Sequence, residues 1–148
     1  MAVIRGGQKL EQALARLGAK VAKPATLRVG FLDTAKYPDG TPVAMIAAIQ
    51  DFGAPKVNIP PRPFFRNMIR SKQKEWAPAI ANLLQGNGFD AVAALNKAGQ
   101  AIAGQLRQSI QDTNAPPLKP ATIARKGFAK PLVDTGHMLN SVDYEVTS

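Results

Sequence analysis

The clearest chemical signature in the chain is Asp134-Thr135-Gly136, which matches the short motif of aspartic proteases. In those enzymes two carboxyl groups share one proton at the active site. Their motif ends a strand and lies inside an apolar run. Here it is followed by His137-Met138-Leu139-Asn140 at helical spacing. We therefore expect Asp134 to cap a short helix that runs to about Leu139, and we expect no peptide hydrolysis.

Other residue types that support catalysis or metal binding are isolated in the sequence. His137 is the only histidine, and the chain has no cysteine, so no zinc-ligand spacing exists. Ser109 and Ser141 have no evident base beside them, and no glycine-rich phosphate loop follows a strand. The sequence therefore predicts no catalytic residue, no cofactor and no metal ion.

Positive charge is the strongest compositional feature. Nineteen Lys and Arg residues against ten Asp and Glu residues give a formal net charge of +9, which favours polyanionic partners such as nucleic acid, an anionic membrane surface or an acidic protein. A basic stripe is formed by Arg62, Arg66 and Arg70, four residues apart, together with Lys72 and Lys74. Three interpretations remain open for it: a solvated helix face, a contact with an acidic neighbouring subunit, or a contact with DNA phosphates. We expect charge reversal at Arg66 and Arg70 together to impair assembly or DNA retention and to leave the melting temperature of the monomer nearly unchanged.

A proline-rich stretch lies before this stripe. Gly53 follows an apolar helical run and is predicted to end it, and prolines at 55, 60, 61 and 63 are expected to hold residues 53–63 as an extended arm. Phe64 and Phe65 come next, at the start of the following helix. They either fill the core of their own chain or belong to an arm that docks on a partner, with Arg62 as a bidentate donor.

Hydrophobic periodicity predicts a small α+β fold: a small antiparallel sheet packed against several helices, with the extended proline-rich arm. Helical spacing indicates helices over residues 8–17, with Gly18 as a stop, 43–52, about 64–84 and 89–111. Alternation indicates strands over 26–32 and 141–147, which we expect to pair. Gly99 and Gly104 in the last long helix are expected to allow close packing against a neighbour. We expect one domain over residues 1–148, with a mobile N-terminus and no membrane span.

The order of these motifs resembles that of the tailed-bacteriophage neck and tail-completion proteins, namely the HK97-type neck proteins and the minor-tail-protein-Z-like proteins. Two stretches carry the resemblance: Phe52-Gly53 followed by Ile59-Pro60-Pro61-Arg62-Pro63-Phe64, and Pro131-Leu132-Val133-Asp134-Thr135-Gly136 followed by Leu139. The resemblance covers roughly residues 43–144. It implies that Phe52, Gly53, Pro60, Arg62, Pro63 and Phe64 form an interaction arm, and that Leu132, Asp134, Thr135, Gly136 and Leu139 form a second interaction element.

The resemblance also implies a non-enzymatic structural subunit of the virion, assembled in the host cytoplasm. Such a subunit would form a six- or twelve-fold homo-oligomeric ring that joins tail to head. Its partners would be neighbouring neck and tail proteins, with non-specific contact to DNA in the channel and no membrane contact. The alternative function is a nucleic-acid-binding accessory protein that uses the basic surface.

Overall fold

A computed structural model describes residues 6–113 and 136–148 of the chain. The elements in chain order are α1 (Gly7–Val21), β1 (Thr26–Phe31), α2 (Val43–Phe52), α3 (Phe64–Gly86), α4 (Ala91–Asp112), α5 (His137–Asn140) and β2 (Val142–Thr147). A single 3₁₀ turn, Pro55–Val57, lies between α2 and α3. The predicted α+β architecture is confirmed: the described residues contain one two-stranded antiparallel sheet packed against helices.

The sheet joins two segments that are far apart in sequence. β1 and β2 pair from Thr26 opposite Thr147 to Phe31 opposite Val142. The sheet packs closely on α4, because a Cβ added at Gly99 would overlap the ring of Tyr144. The expectation of close packing is therefore confirmed at Gly99. It is wrong at Gly104, where an added Cβ would meet nothing within 4 Å.

Helices α3 and α4 form a helical hairpin beneath the sheet. Asp90 begins α4 as its N-cap, with Oδ1 accepting a hydrogen bond from the Ala93 backbone N–H at 3.1 Å. This cap satisfies one of the backbone donors that a helix start leaves unpaired. The hairpin, α2, α5 and β2 share one buried cluster formed by Val43, Ala47, Phe64, Met68, Ala103, Leu106, Ile110, Met138 and Val142.

Two local predictions from the sequence are wrong. Helix α1 continues through Gly18 to Val21, and the Ala22 N–H donates to the Gly18 carbonyl. The segment predicted to be an extended arm instead closes on itself between Ala54 and Ile59, which form a β-bridge around the 3₁₀ turn. Pro55 favours this compact loop, since a proline at the first position of a 3₁₀ turn has the required φ already. The predicted N-terminal mobility concerns residues 1–5, which lie outside the described residues.

Candidate interaction site

The junction between α2 and α3 is organised by a buried aspartate. Asp51, in the last turn of α2, is only 3% exposed. Its Oδ1 accepts hydrogen bonds from the backbone N–H groups of Phe65 at 2.9 Å and Arg66 at 3.3 Å. These are unpaired donors at the start of α3, where a negative charge also interacts favourably with the helix dipole. Asp51 thus supplies the N-terminal cap of α3 from a different helix.

Arg66, in the first turn of α3, completes this junction. Its Nε donates to Asp51 Oδ2 at 2.6 Å, and its terminal nitrogen donates to the Asp51 backbone carbonyl at 2.6 Å. The guanidinium also lies over the Phe52 ring, 4.4 Å from the centroid. One side chain therefore neutralises the buried carboxylate, satisfies a carbonyl at the end of α2 and makes a cation–π contact. We call this arrangement of Asp51, Phe52 and Arg66 the α2–α3 clasp.

Arg62 strengthens the same junction. The residue is 6% exposed, its backbone N–H donates to the Gln50 carbonyl at 2.8 Å, and its guanidinium donates to Gln50 Oε1 at 3.3 Å. Burial lowers the pKa of the Arg62 guanidinium from its ordinary value. The ordinary pKa of arginine lies so far above neutral pH that the Arg62 guanidinium still carries its charge at neutral pH. Arg62 therefore belongs to the interior of its own subunit.

These contacts correct the interpretation of the basic stripe as one continuous surface. Arg62 and Arg66 both bind the C-terminal turn of α2. Arg70 and Lys74 are exposed, and Lys72 lies 3.5 Å from Glu75. The contact changes the prediction for Arg66: charge reversal there should destabilise the monomer, since a glutamate would face the buried Asp51 carboxylate.

The phenylalanines after the proline segment belong largely to the chain's own core. Phe64 is completely buried, and its ring packs edge-on against Phe31 at 6.4 Å and against Phe65 at 6.3 Å between centroids. The Phe64 carbonyl accepts a hydrogen bond from the Ser109 hydroxyl at 2.7 Å. Of the two interpretations offered by the sequence, the structure supports the core for Phe64. Phe65 is partly buried and borders the groove described below.

Gly53 explains how the chain turns between the two helices. Its φ of +77° and ψ of 170° fall in a region that glycine alone adopts freely. A Cβ there would lie 2.8 Å from the Pro61 nitrogen and 2.9 Å from the Ile59 carbonyl oxygen. Gly53 ends α2 as predicted, and it also permits the proline loop to fold back against the helix end. Pro63 then serves as the N-cap residue of α3.

The second predicted element is described only in part. Leu132, Asp134 and Thr135 lie outside the described residues. Gly136 occupies the N-cap position of α5 with φ +74°, and no side chain caps that helix start through a hydrogen bond among the described residues. Leu139 packs against the core cluster.

The histidine and the two serines considered for chemistry make structural contacts. His137 Nε2 lies 2.8 Å from the Lys36 carbonyl oxygen, and its ring stacks against Tyr37 at 4.7 Å between centroids. The Ser141 hydroxyl donates to the His137 carbonyl at 2.7 Å. Within residues 6–113 and 136–148, no three His, Cys, Asp or Glu side chains come together as a metal site. No helix of these residues has both the length and the apolarity to cross a bilayer.

The described part of the chain leaves apolar side chains exposed on α1 and beside a groove. Helix α1 has no buried residue, and Leu10 and Leu14 are 62% and 58% exposed. A groove of about 420 Å³ lies between β1, α2 and α3, bordered by Phe52, which is 65% exposed. Exposed apolar patches of this kind mark interaction surfaces in soluble proteins.

Sequence reasoning missed two partners in α2: Asp51, which binds Arg66, and Gln50, which binds Arg62. A signal was present, because an aspartate in the last turn of a helix is unfavourable next to the negative end of the helix dipole. Such a residue is expected only where another group compensates for it.

In comparisons with known proteins, no protein family, curated protein or solved structure matches the chain.

Proposed function

We propose that this protein is a structural subunit of a bacteriophage neck, forming a ring that joins the tail to the head without catalysis. The observation that carries the proposal is the pair of separate apolar surfaces, on α1 and at the groove beside Phe52. A subunit that contacts a neighbour on each side needs two such surfaces.

The order of the sequence motifs also supports the proposal. The stretch from Phe52 to Phe64 and the stretch around Gly136 occur in the order and separation that resemble neck and tail-completion proteins. In this proposal the first stretch holds α2 against α3 through the clasp. It thereby fixes the shape of the surface that a neighbouring subunit meets, and the interfaces themselves are formed by the exposed apolar residues.

The net charge fits a ring around a DNA channel. Each copy carries a formal charge of +9, and a closed ring would concentrate that charge around one axis, where a concave wall focuses the field. Arg70 and Lys74 on α3 are the exposed members of the stripe that remain available for such a wall.

The proposal is tested in the phage that encodes the chain. We expect purified virions to contain the protein in a copy number of six or twelve, located by cryo-electron microscopy at the junction of head and tail. A mutant phage that lacks it should accumulate unjoined heads and tails. Joined, infectious particles without the protein would overturn the proposal.

The alternative is a nucleic-acid-binding accessory protein, which the positive charge favours. Three of the five cations in the stripe already bind groups of their own chain, namely Arg62, Arg66 and Lys72, which reduces the surface available for phosphates. Tight, salt-dependent binding of the isolated monomer to short duplex DNA would favour this alternative. The control is a variant with Arg70→Gln and Lys74→Gln, which removes exposed charge without touching the clasp. If the stripe binds DNA, this variant should bind the duplex more weakly than the parent.

A further inference from the structure

Helix α1 presents one apolar face that no described part of its own chain covers. We define the α1 face by residues on one side of the helix: Leu10, Ala13, Leu14, Leu17 and Val21. None of them is buried, and Val21 is 54% exposed. A helix of 15 residues on its own is marginally stable in water, so this one is expected to gain its stability from packing against a partner.

The groove presents a complementary surface. We define the β1–α3 groove by its apolar lining from β1, α2 and α3, which includes Val29, Phe31, Ala44, Ala48, Phe52 and Phe65. Among the described residues, the charged side chains that line it are Asp51 and Arg66, which neutralise each other across 2.6 Å. The groove is therefore apolar and does not repel a basic helix through net charge. Small alanines on α2 leave room for larger side chains of a partner.

We infer that the α1 face of one copy docks in the β1–α3 groove of the next copy, so that the protein assembles head to tail. This inference deepens the proposed function by naming its subunit contact, and it rests on that function only for closure of the ring. Two different patches of one chain that bind each other form a heterologous interface, which gives a ring when the rotation closes and a filament when it does not.

A second copy is the occupant that accounts for both surfaces at once. An anionic membrane surface would account for α1, whose charged residues Lys9, Glu11, Arg16 and Lys20 sum to +2. It would leave the groove and the exposed Phe52 ring unexplained. Helix α1 also has no aromatic residue to anchor it at a lipid interface.

The test uses two full-length variants that each lose one half of the contact. Leu10→Asp with Leu14→Asp disables the α1 face, and Ala48→Glu, at an exposed position of α2, disables the groove. Gln8→Asp with Gln12→Asp is the matched control, since it adds the same charge to the opposite side of α1. Circular dichroism and thermal melting should show that all variants fold like the parent.

Sedimentation velocity over a concentration series gives the readout. We expect the parent and the control to form oligomers larger than dimers, and each disabled variant to remain monomeric, with association weakened at least about 100-fold. A 1:1 mixture of the two disabled variants should form a heterodimer and nothing larger, because one intact face then meets one intact groove. This complementation is specific to a head-to-tail contact.

Several results would overturn the inference. A parent chain that stays monomeric at every concentration, including one that binds anionic vesicles through α1, excludes self-docking. If the α1 variant loses assembly but the groove variant keeps it, α1 pairs with α1 instead. If both disabled variants still assemble, the contact lies elsewhere. The copy number in virions is measured independently, so the proposed function can fail or survive separately from this contact.

Discussion

The α2–α3 clasp and helix α1 distribute charge and apolar surface in opposite ways. In the clasp a carboxylate, Asp51, is buried and paired with Arg66, and nearby Arg62 is buried as well. In α1 leucines point to solvent while no residue of the helix is buried. Buried charge needs partners close by, and the clasp provides them within its own subunit. Exposed apolar surface needs a partner too, and α1 has none among the described residues.

The contrast indicates that the two regions serve different equilibria. Asp51 and Arg66 should determine the free energy of unfolding of the monomer, while the exposed leucines of α1 should determine association. Substitutions of Asp51 or Arg66 should therefore lower monomer stability most, and substitutions in α1 should weaken association most.

The largest loss of stability is expected for Phe64→Ala, next to the clasp. Emptying a fully buried aromatic site in the core costs about 3–5 kcal/mol of unfolding free energy. Urea unfolding of the purified protein measures it. If Phe64→Ala melts like the parent but fails to assemble, the phenylalanine belongs to a docking arm after all.

Asp51→Ala is expected to cost about 3 kcal/mol. It removes a cap of α3 together with charge-assisted hydrogen bonds to Arg66. Glu145→Ala is the matched control, because it breaks an exposed cross-strand ion pair with Arg28 at 3.1 Å and should cost at most about 1 kcal/mol. A double-mutant cycle with Arg66→Ala isolates the pair, and coupling no larger than that of Arg28 with Glu145 would show that the clasp contributes little.

Gly53→Ala is expected to cost about 1–3 kcal/mol through backbone strain, with a further loss from the close approach of Ile59 and Pro61. Gly40→Ala provides the comparison, since Gly40 also has a positive φ, +88°, but an added Cβ there meets nothing within 4 Å. The difference between their melting temperatures measures the steric part. Equal losses would show that the loop moves away from α2 without penalty.

The smallest change in stability is expected for Leu14→Ala, within about 0.5 kcal/mol, because the side chain is mostly exposed. The same substitution should weaken association, measured by sedimentation. A large loss of monomer stability would mean that α1 packs on its own subunit in solution, which would remove the contrast with the clasp.

Local patterns in the sequence predicted most of the elements. Apolar spacing indicated α2 with the bounds that the structure has, and alternation indicated both strands and their pairing. These predictions succeed because the period of side-chain burial depends on backbone geometry within a few residues. The continuation of α1 past Gly18 was missed, since glycine lowers helix propensity by only about 1 kcal/mol and does not force an end.

The sequence by itself determined the α+β composition, the glycine stop at Gly53, and the presence of arginines at helical spacing. Only the tertiary structure decided what those arginines do. Arg66 reaches Asp51, fifteen residues earlier in the chain, because the proline loop folds back and places the end of α2 beside the start of α3. Helical spacing specifies which side chains share a face, but the partner of that face depends on how distant segments pack. For this reason Arg62 and Arg66, which the sequence placed on a basic surface, bind α2 of their own chain.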